Sequence, residues 1–191
     1  RMIVERHTFY VEQAIARLLP PFEDLEAEAR KAAEEWLHRA SHRFNPEISD
    51  PADFYEAAQE SAMDFCGQLL EMREQVLLSI VAAMFHHWEK DLREWLTAEI
   101  RHWNQGEGSI EAVWNAKPWQ LEELLTCIGW QGQNEDYFKT IDACRLVVNV
   151  YKHGFGSSLK ELAEKYPEYE DPAGRRITEP GFGPLFSDVE E

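Results

Sequence analysis

Four side chains near the end of the chain, Arg145, Asn149, Lys152 and His153, are of the types that cleave a phosphodiester without a metal. A histidine titrates near neutrality and can exchange protons with a ribose 2′-hydroxyl or a leaving oxygen. An arginine or lysine can hold the scissile phosphate and offset the charge that develops on it. An asparagine can orient either. The surrounding segment, DACRLVVNVYKHGFG from Asp142 to Gly156, reads as a helix. At about 100° per residue, Arg145, Asn149 and His153 sit one turn apart, Lys152 lies beside them and Asp142 is a turn before. The other directions are apolar: Ile141, Cys144, Leu146, Val147, Val148, Val150 and Tyr151. A helix apolar around most of its circumference is usually buried, so the polar strip is expected to face a cleft or a partner. The plainer alternative is an ordinary solvated face.

The elements that position this strip are helical. Composition allows a packed fold: of 191 residues, 44% are hydrophobic and 12% aromatic, with seven Trp. The chain carries 19 basic against 36 acidic residues, a net charge of −17, which disfavours nucleic acid or anionic membrane as a partner of the general surface. A local exception lies between Tyr137 and Lys160, where Lys139, Arg145, Lys152 and Lys160 face only Asp142, although acids flank the window on both sides. Cys66, Cys127 and Cys144 lack metal-site spacing and lie in apolar helical runs, which implies buried free thiols and a reducing compartment. No run of about 20 apolar residues is present and the start RMIVERHTFY is no hydrophobic signal, so a cytoplasmic protein without a membrane partner is expected.

Taken in order, the first helix runs from about Val4 to Leu19 and stops at Pro20-Pro21. The second should start there, with Glu23 and Asp24 in its first turn and a stripe from Phe22 through Trp36 to Phe44. Ser49-Asp50-Pro51 opens a third, which persists to about Trp103 with a bend expected at Cys66-Gly67. Its second half carries the strongest pattern: Leu77, Ile80, Val81, Met84, Phe85, Trp88, Leu92, Trp95, Leu96 and Ile100. After a loop at Gln105 to Gly108, shorter helices are expected over Ile110 to Asn115 and Pro118 to Ile128. A turn from Gly129 to Gln133 leads into the helix from about Glu135 to His153, which Gly154-Phe155-Gly156 breaks. Ser157 or Ser158 should cap a last short helix through about Lys165, and the tail from Pro167, with four prolines and three glycines, reads as irregular. The expected architecture is all-α, a bundle of about five or six helices forming a single domain over 1–166, with an irregular tail over 167–191.

The run RLVVNVYKHG, late in an all-helical domain, resembles the HEPN superfamily of small helical proteins, many of them RNA-cleaving toxins and defence effectors. That family's signature is an Arg, usually followed by a polar residue, and a His four to six positions on. His153 fits, with Asn149 as the polar residue. Arg145 departs: seven residues separate it from His153, one turn more than usual, and Leu146 follows it. The resemblance also points to Phe85-His86-His87-Trp88-Glu89, where Glu89 sits on the edge of the apolar stripe. Glu89 could pair with Arg145 or Lys152, orient His153, or act as a second proton-transfer group. Alternatively it is a surface residue paired with Arg93 at i+4.

What the resemblance implies is a metal-independent endoribonuclease in a toxin or antiphage role, with no cofactor. His153 would act at the 2′-hydroxyl and Arg145 would hold the phosphate with Lys152 assisting, while Asn149 and Glu89 would position them. The site would form where two copies of the last long helix meet, making a homodimer with RNA as substrate and an antitoxin or regulatory partner. The alternative from another class is a non-catalytic helical module for dimerisation or protein interaction.

Two Glu-x-x-His pairs, Glu35…His38 and Glu99…His102, are the elements of a di-metal bundle site, but no clear third and fourth core-facing Glu accompanies them. The adjacent His86 and His87 diverge by about 100° and are expected at the surface or in packing. The Trp residues mostly fall on apolar stripes, which favours core packing over base stacking.

Overall fold

The structure, a computed structural model, describes residues 2–104, 106–132, 135–154 and 156–169. The described chain is all-α, 84% helical, with no strand. Its seven α-helices are α1 (Met2–Leu18), α2 (Leu25–Ala40), α3 (Pro51–Arg101), α4 (Glu107–Asn115), α5 (Pro118–Cys127), α6 (Asp136–His153) and α7 (Ser157–Lys165). That is slightly more than five or six, and the two short segments after α3 are separate helices as their spacing implied. Lys117 is extended and Pro118 stands at the first helical position of α5, so α4 cannot run on into it. Short 3₁₀ turns occupy Pro20–Phe22, Ser41–Arg43 and Pro167–Tyr169. The remainder of the expected irregular tail, 170–191, lies outside the described residues, as does Phe155 of the helix stop.

Local chemistry sets the boundaries. Pro20 and Pro21 turn the chain, and the Asp24 carboxylate accepts from the Ala27 backbone N–H at 2.9 Å, so Asp24 caps α2 rather than sitting inside it. α3 is one helix of 51 residues, unbroken at Cys66-Gly67. Gly67 is exposed, and a Cβ there would meet nothing within 4 Å, so the missing side chain interrupts no packing. α4 starts three residues before the expected Ile110, with Gly106 at its cap, and the Ser109 hydroxyl donates to the Gly106 carbonyl at 2.6 Å. Gly156, not a serine side chain, occupies the cap position of α7. α6 ends where Gly154 takes φ +65° and ψ −133° and its N–H reaches the Val150 carbonyl at 2.7 Å. Such a conformation suits glycine, which has no Cβ to clash.

The chain divides into two compact units, one of Arg1–Val11 with Ile80–Glu170 and one of Glu12–Ser79 with Asp171–Glu191. In the described part of the second, Phe54 at the start of α3 packs edge-on against Trp36 and Phe44, with ring centroids 6.1 and 5.3 Å away. Small residues on the same helices, Ala40, Ala58 and Ala62, are buried there. In the first, α3 supplies two apolar clusters. Leu96 and Ile100 pack with Val113 of α4 and Leu121 of α5, and about three to five turns earlier Ala82 and Phe85 pack with Val148 of α6. Burying Ala143, Leu146, Val147, Val148 and Val150 makes α6 the buried helix its pattern predicted. Leu159 and Leu162 of α7 are buried as well.

Three polar residues of α3 go where their types would not suggest. Asp91, Arg93 and Thr97 are buried. Asp91 receives a hydrogen bond and ion pair from Arg6, and His7 Nε2 lies 3.1 Å from its other oxygen, while Tyr10 packs a turn away on His87 with ring centroids 5.9 Å apart. The carboxyl pKa of Asp91 is lowered, first by the hydrogen bond from Arg6 and against the opposing effect of burial.

Trp burial also departs from expectation: Trp95, Trp103, Trp114 and Trp119 are exposed, whereas Trp36, Trp88 and Trp130 are half-buried. Cys127 is exposed rather than buried, while Cys66 and Cys144 are half-buried, and all three are free thiols. Among the described residues no helix is long and apolar enough to cross a membrane.

Candidate functional site

A cavity of about 450 Å³ opens in the first unit, between α3, α5, α6 and α7. Its walls follow from helical spacing. α3 offers Phe85, Trp88, Glu89 and Leu92, which recur at three- and four-residue steps and therefore share one face. α5 contributes Trp119, Leu121, Glu122 and Leu125, and α6 contributes Phe138, Ile141, Asp142 and Arg145. Glu161 and Lys165, one turn apart on α7, complete it.

The aromatic wall is braced. Phe85 and Trp88 lie with ring centroids 5.6 Å apart, and Trp130 packs edge-on against Phe138 at 5.3 Å while its indole N–H donates to the Tyr137 hydroxyl at 3.2 Å. Trp119, 55% exposed, stands at the rim.

The polar wall is a closed ring of ion pairs joining α6 to α7. Arg145 donates to Asp142 Oδ1 from Nε at 2.8 Å and lies 2.7 Å from it through Nη2. The same Nη2 reaches Glu161 Oε1 at 3.3 Å. Lys165 Nζ sits 2.7 Å from Glu161 Oε1 and 3.5 Å from Asp142 Oδ2, which closes the ring. Just past α7, the Tyr166 hydroxyl donates to Asp142 Oδ2 at 3.0 Å. Burial opposes ionisation of Asp142, but the hydrogen bonds from Arg145 and Tyr166 and the charges around it outweigh burial and lower its pKa. The hydrogen bond to Glu161 raises the pKa of Lys165, and burial, followed by the bond to Asp142, raises that of Tyr166.

Glu89 lines the cavity, but its ion partner is Arg93, at 2.5 Å and i+4. Arg93 in turn donates to the carbonyls of Val113, Trp114 and Ala116 at 2.6, 3.1 and 3.0 Å. One guanidinium thus satisfies three carbonyls at the C-terminus of α4, where intrahelical donors run out. Glu89 holds that guanidinium; among the described residues no hydrogen bond or ion pair joins Glu89 to Arg145, Lys152 or His153. His86 Nδ1 lies 4.0 Å from its second oxygen.

The predicted strip therefore divides. Arg145 and Glu89 both face the cavity. Asn149 is half-buried and Lys152 and His153 are exposed, none of them in its walls. Arg145 and His153 lie eight positions apart along α6, a rise of about 12 Å. Helical spacing put them on one side of α6, but the acids of α6 and α7 hold the guanidinium at the cavity. The positive window is likewise partly neutralised: Lys139 pairs with Asp136 at 2.9 Å, and Arg145 with two carboxylates, leaving Lys152 and Lys160 exposed.

Trp119 and Glu122 were not singled out by sequence reasoning. Their signal was present as a Trp directly after the proline that starts α5, with an acid three residues on and on the same face. Cys144, half-buried near the Ala82–Phe85–Val148 cluster, has its thiol pKa pushed up to about 11 by burial and is a packing residue. Among the described residues, no three His, Cys, Asp or Glu side chains gather to hold a metal ion, the two Glu-x-x-His pairs included.

No protein-family model, curated protein or solved structure matches the chain.

Proposed function

We propose that the chain is a helical protein-interaction module whose cavity in the first unit receives a side chain of its partner. The observation that supports this most is the composition of the cavity: a braced aromatic wall facing a ring of charges that are already paired with one another. Concave, mostly apolar sites with a few fixed polar groups bind ligands well. Arg145, engaged by two carboxylates, is poorly placed to take a phosphate. The test is affinity capture from cells with the wild type and Trp119→Ala. A partner held by the wild type and lost by the variant is expected; equal capture by both would sink the reading.

A second reading, a metal-independent endoribonuclease of HEPN type in a toxin or antiphage role, is favoured by the other end of α6. There Lys152 and His153 stand exposed next to half-buried Asn149, on a surface that a second copy of the chain could complete. In a homodimer, His153 of one copy would act at the RNA 2′-hydroxyl, with Lys152 and a released Arg145 on the phosphate. The wild type and its His153→Ala and Arg145→Ala variants, incubated with total RNA in EDTA, decide it. Cleavage lost in both variants supports the nuclease, whereas no cleavage by the wild type, or equal cleavage by all three proteins, excludes it.

A further inference from the structure

We infer that the cavity is a receptor for a basic side chain, lysine or arginine, presented by a basic segment of a partner protein; this rests on the interaction-module reading above. The aromatic residues Phe85, Trp88, Trp119 and Phe138 line a space of about 450 Å³, large enough for an extended side chain. Aromatic faces attract cations through the ring quadrupole, most strongly where water is partly excluded. An aliphatic stem suits the leucine and isoleucine parts of the wall, and a charged head suits its rim.

The charges favour the same sign of ligand. Four carboxylates line the cavity, Glu89, Glu122, Asp142 and Glu161, against two cations, Arg145 and Lys165. Both cations are spent: each contacts Asp142 and Glu161. Glu89 is held by Arg93. Glu122, half-buried on α5 three residues after Trp119, has a carboxylate with no ion pair or hydrogen bond among the described residues. It is the group left to meet an incoming cation. An anionic ligand would have to break the ring and approach Glu122; a cationic one does neither. At longer range the net charge of −17 draws a basic segment toward the chain and repels an acidic one or a second copy.

The test uses the full chain and capped tripeptides Gly-X-Gly with X as lysine, arginine, norleucine or glutamate, titrated by NMR chemical shift and Trp fluorescence. Norleucine keeps the stem of lysine and removes the charge. The lysine and arginine peptides are expected to bind about tenfold tighter than norleucine at low salt, with the margin shrinking at high salt. Glu122→Gln should erode that margin several-fold while leaving norleucine binding unchanged, and Trp119→Ala should weaken the cationic peptides; both residues are surface-accessible, and circular dichroism verifies folding. Norleucine binding as tightly as lysine, a preference for glutamate, or no binding by any peptide overturns the inference. Tetramethylammonium binding as tightly as the lysine peptide would reassign the site to a free organic cation and overturn the partner-segment claim. If the peptides fail while capture remains Trp119-dependent, the cation inference falls and the interaction module stands. Trp119-independent capture removes the module itself.

Discussion

Asp142 and Arg145, one turn apart on α6, form an ion pair at 2.7 Å that Glu161 and Lys165 of α7 close into a four-membered ring. An i,i+3 pair alone is worth a few tenths of a kcal/mol on an exposed helix. Here Asp142 is 17% exposed and accepts from three donors on two sides, so its loss is felt by both helices.

Asp142→Asn should therefore destabilise the fold by about 2 kcal/mol at neutral pH, the range for charge-assisted hydrogen bonds with partly buried partners. The pH dependence follows from the lowered carboxyl pKa of Asp142. A carboxyl depressed in the folded state contributes stability above its unfolded pKa and loses it as pH falls through the folded value. Urea denaturation at pH 7, and again below the ordinary carboxylate range, should show the gap between wild type and variant narrowing in acid. A gap that does not change with pH would mean that the ionised ring is not its source.

Arg93 is the second test of buried polarity. Arg93→Ala would leave the carbonyls of Val113, Trp114 and Ala116 without their donor and the Glu89 carboxylate without its partner. A loss of about 3 kcal/mol is expected. Arg93→Lys should recover only part of it, because one ammonium cannot reproduce the guanidinium fork. Thermal melts of the three proteins measure both steps.

Thiol labelling under native conditions should find Cys127 first, because it is exposed. Cys144, whose thiolate is disfavoured by burial, should react only on unfolding. Cys127→Ser should remove the fast phase; a fast phase that survives would contradict the assigned burial.

Gly154→Ala tests the end of α6. At φ +65° and ψ −133° an alanine is strained, with a cost of about 1–2 kcal/mol. Since a Cβ there would meet no neighbour within 4 Å, the penalty is one of backbone conformation alone. Denaturant midpoints would measure it, and an unchanged midpoint would argue against the left-handed stop.

Much of the fold was written locally. Pro20-Pro21 and Gly154 mark ends of helices because proline lacks a donor and glycine tolerates positive φ, and both effects act within a few residues. The apolar circumference of α6 announced a buried helix for the same reason, since periodicity of 3.6 is a property of the segment itself. What a helical wheel cannot encode is which polar residue of an amphipathic edge turns inward. Arg93 looked like a surface partner for Glu89, and it is buried because three α4 carbonyls need a donor that only packing brings near. Asp91 is buried because Arg6 and His7, more than eighty residues earlier, arrive beside it.

The same limit governs the candidate site. From sequence alone, Arg145 belonged with Asn149, Lys152 and His153, because neighbours along a helix are all that spacing reveals. The tertiary structure gave Arg145 to Asp142 and Glu161 instead and left Lys152 and His153 exposed, since Coulomb attraction at 3 Å outweighs membership of a common strip. The all-α class and the buried α6 were determined by the sequence through local periodicity. The cavity, its aromatic wall and its ring of ion pairs were decided only when α3, α5, α6 and α7 packed together, because their residues come from four separate segments.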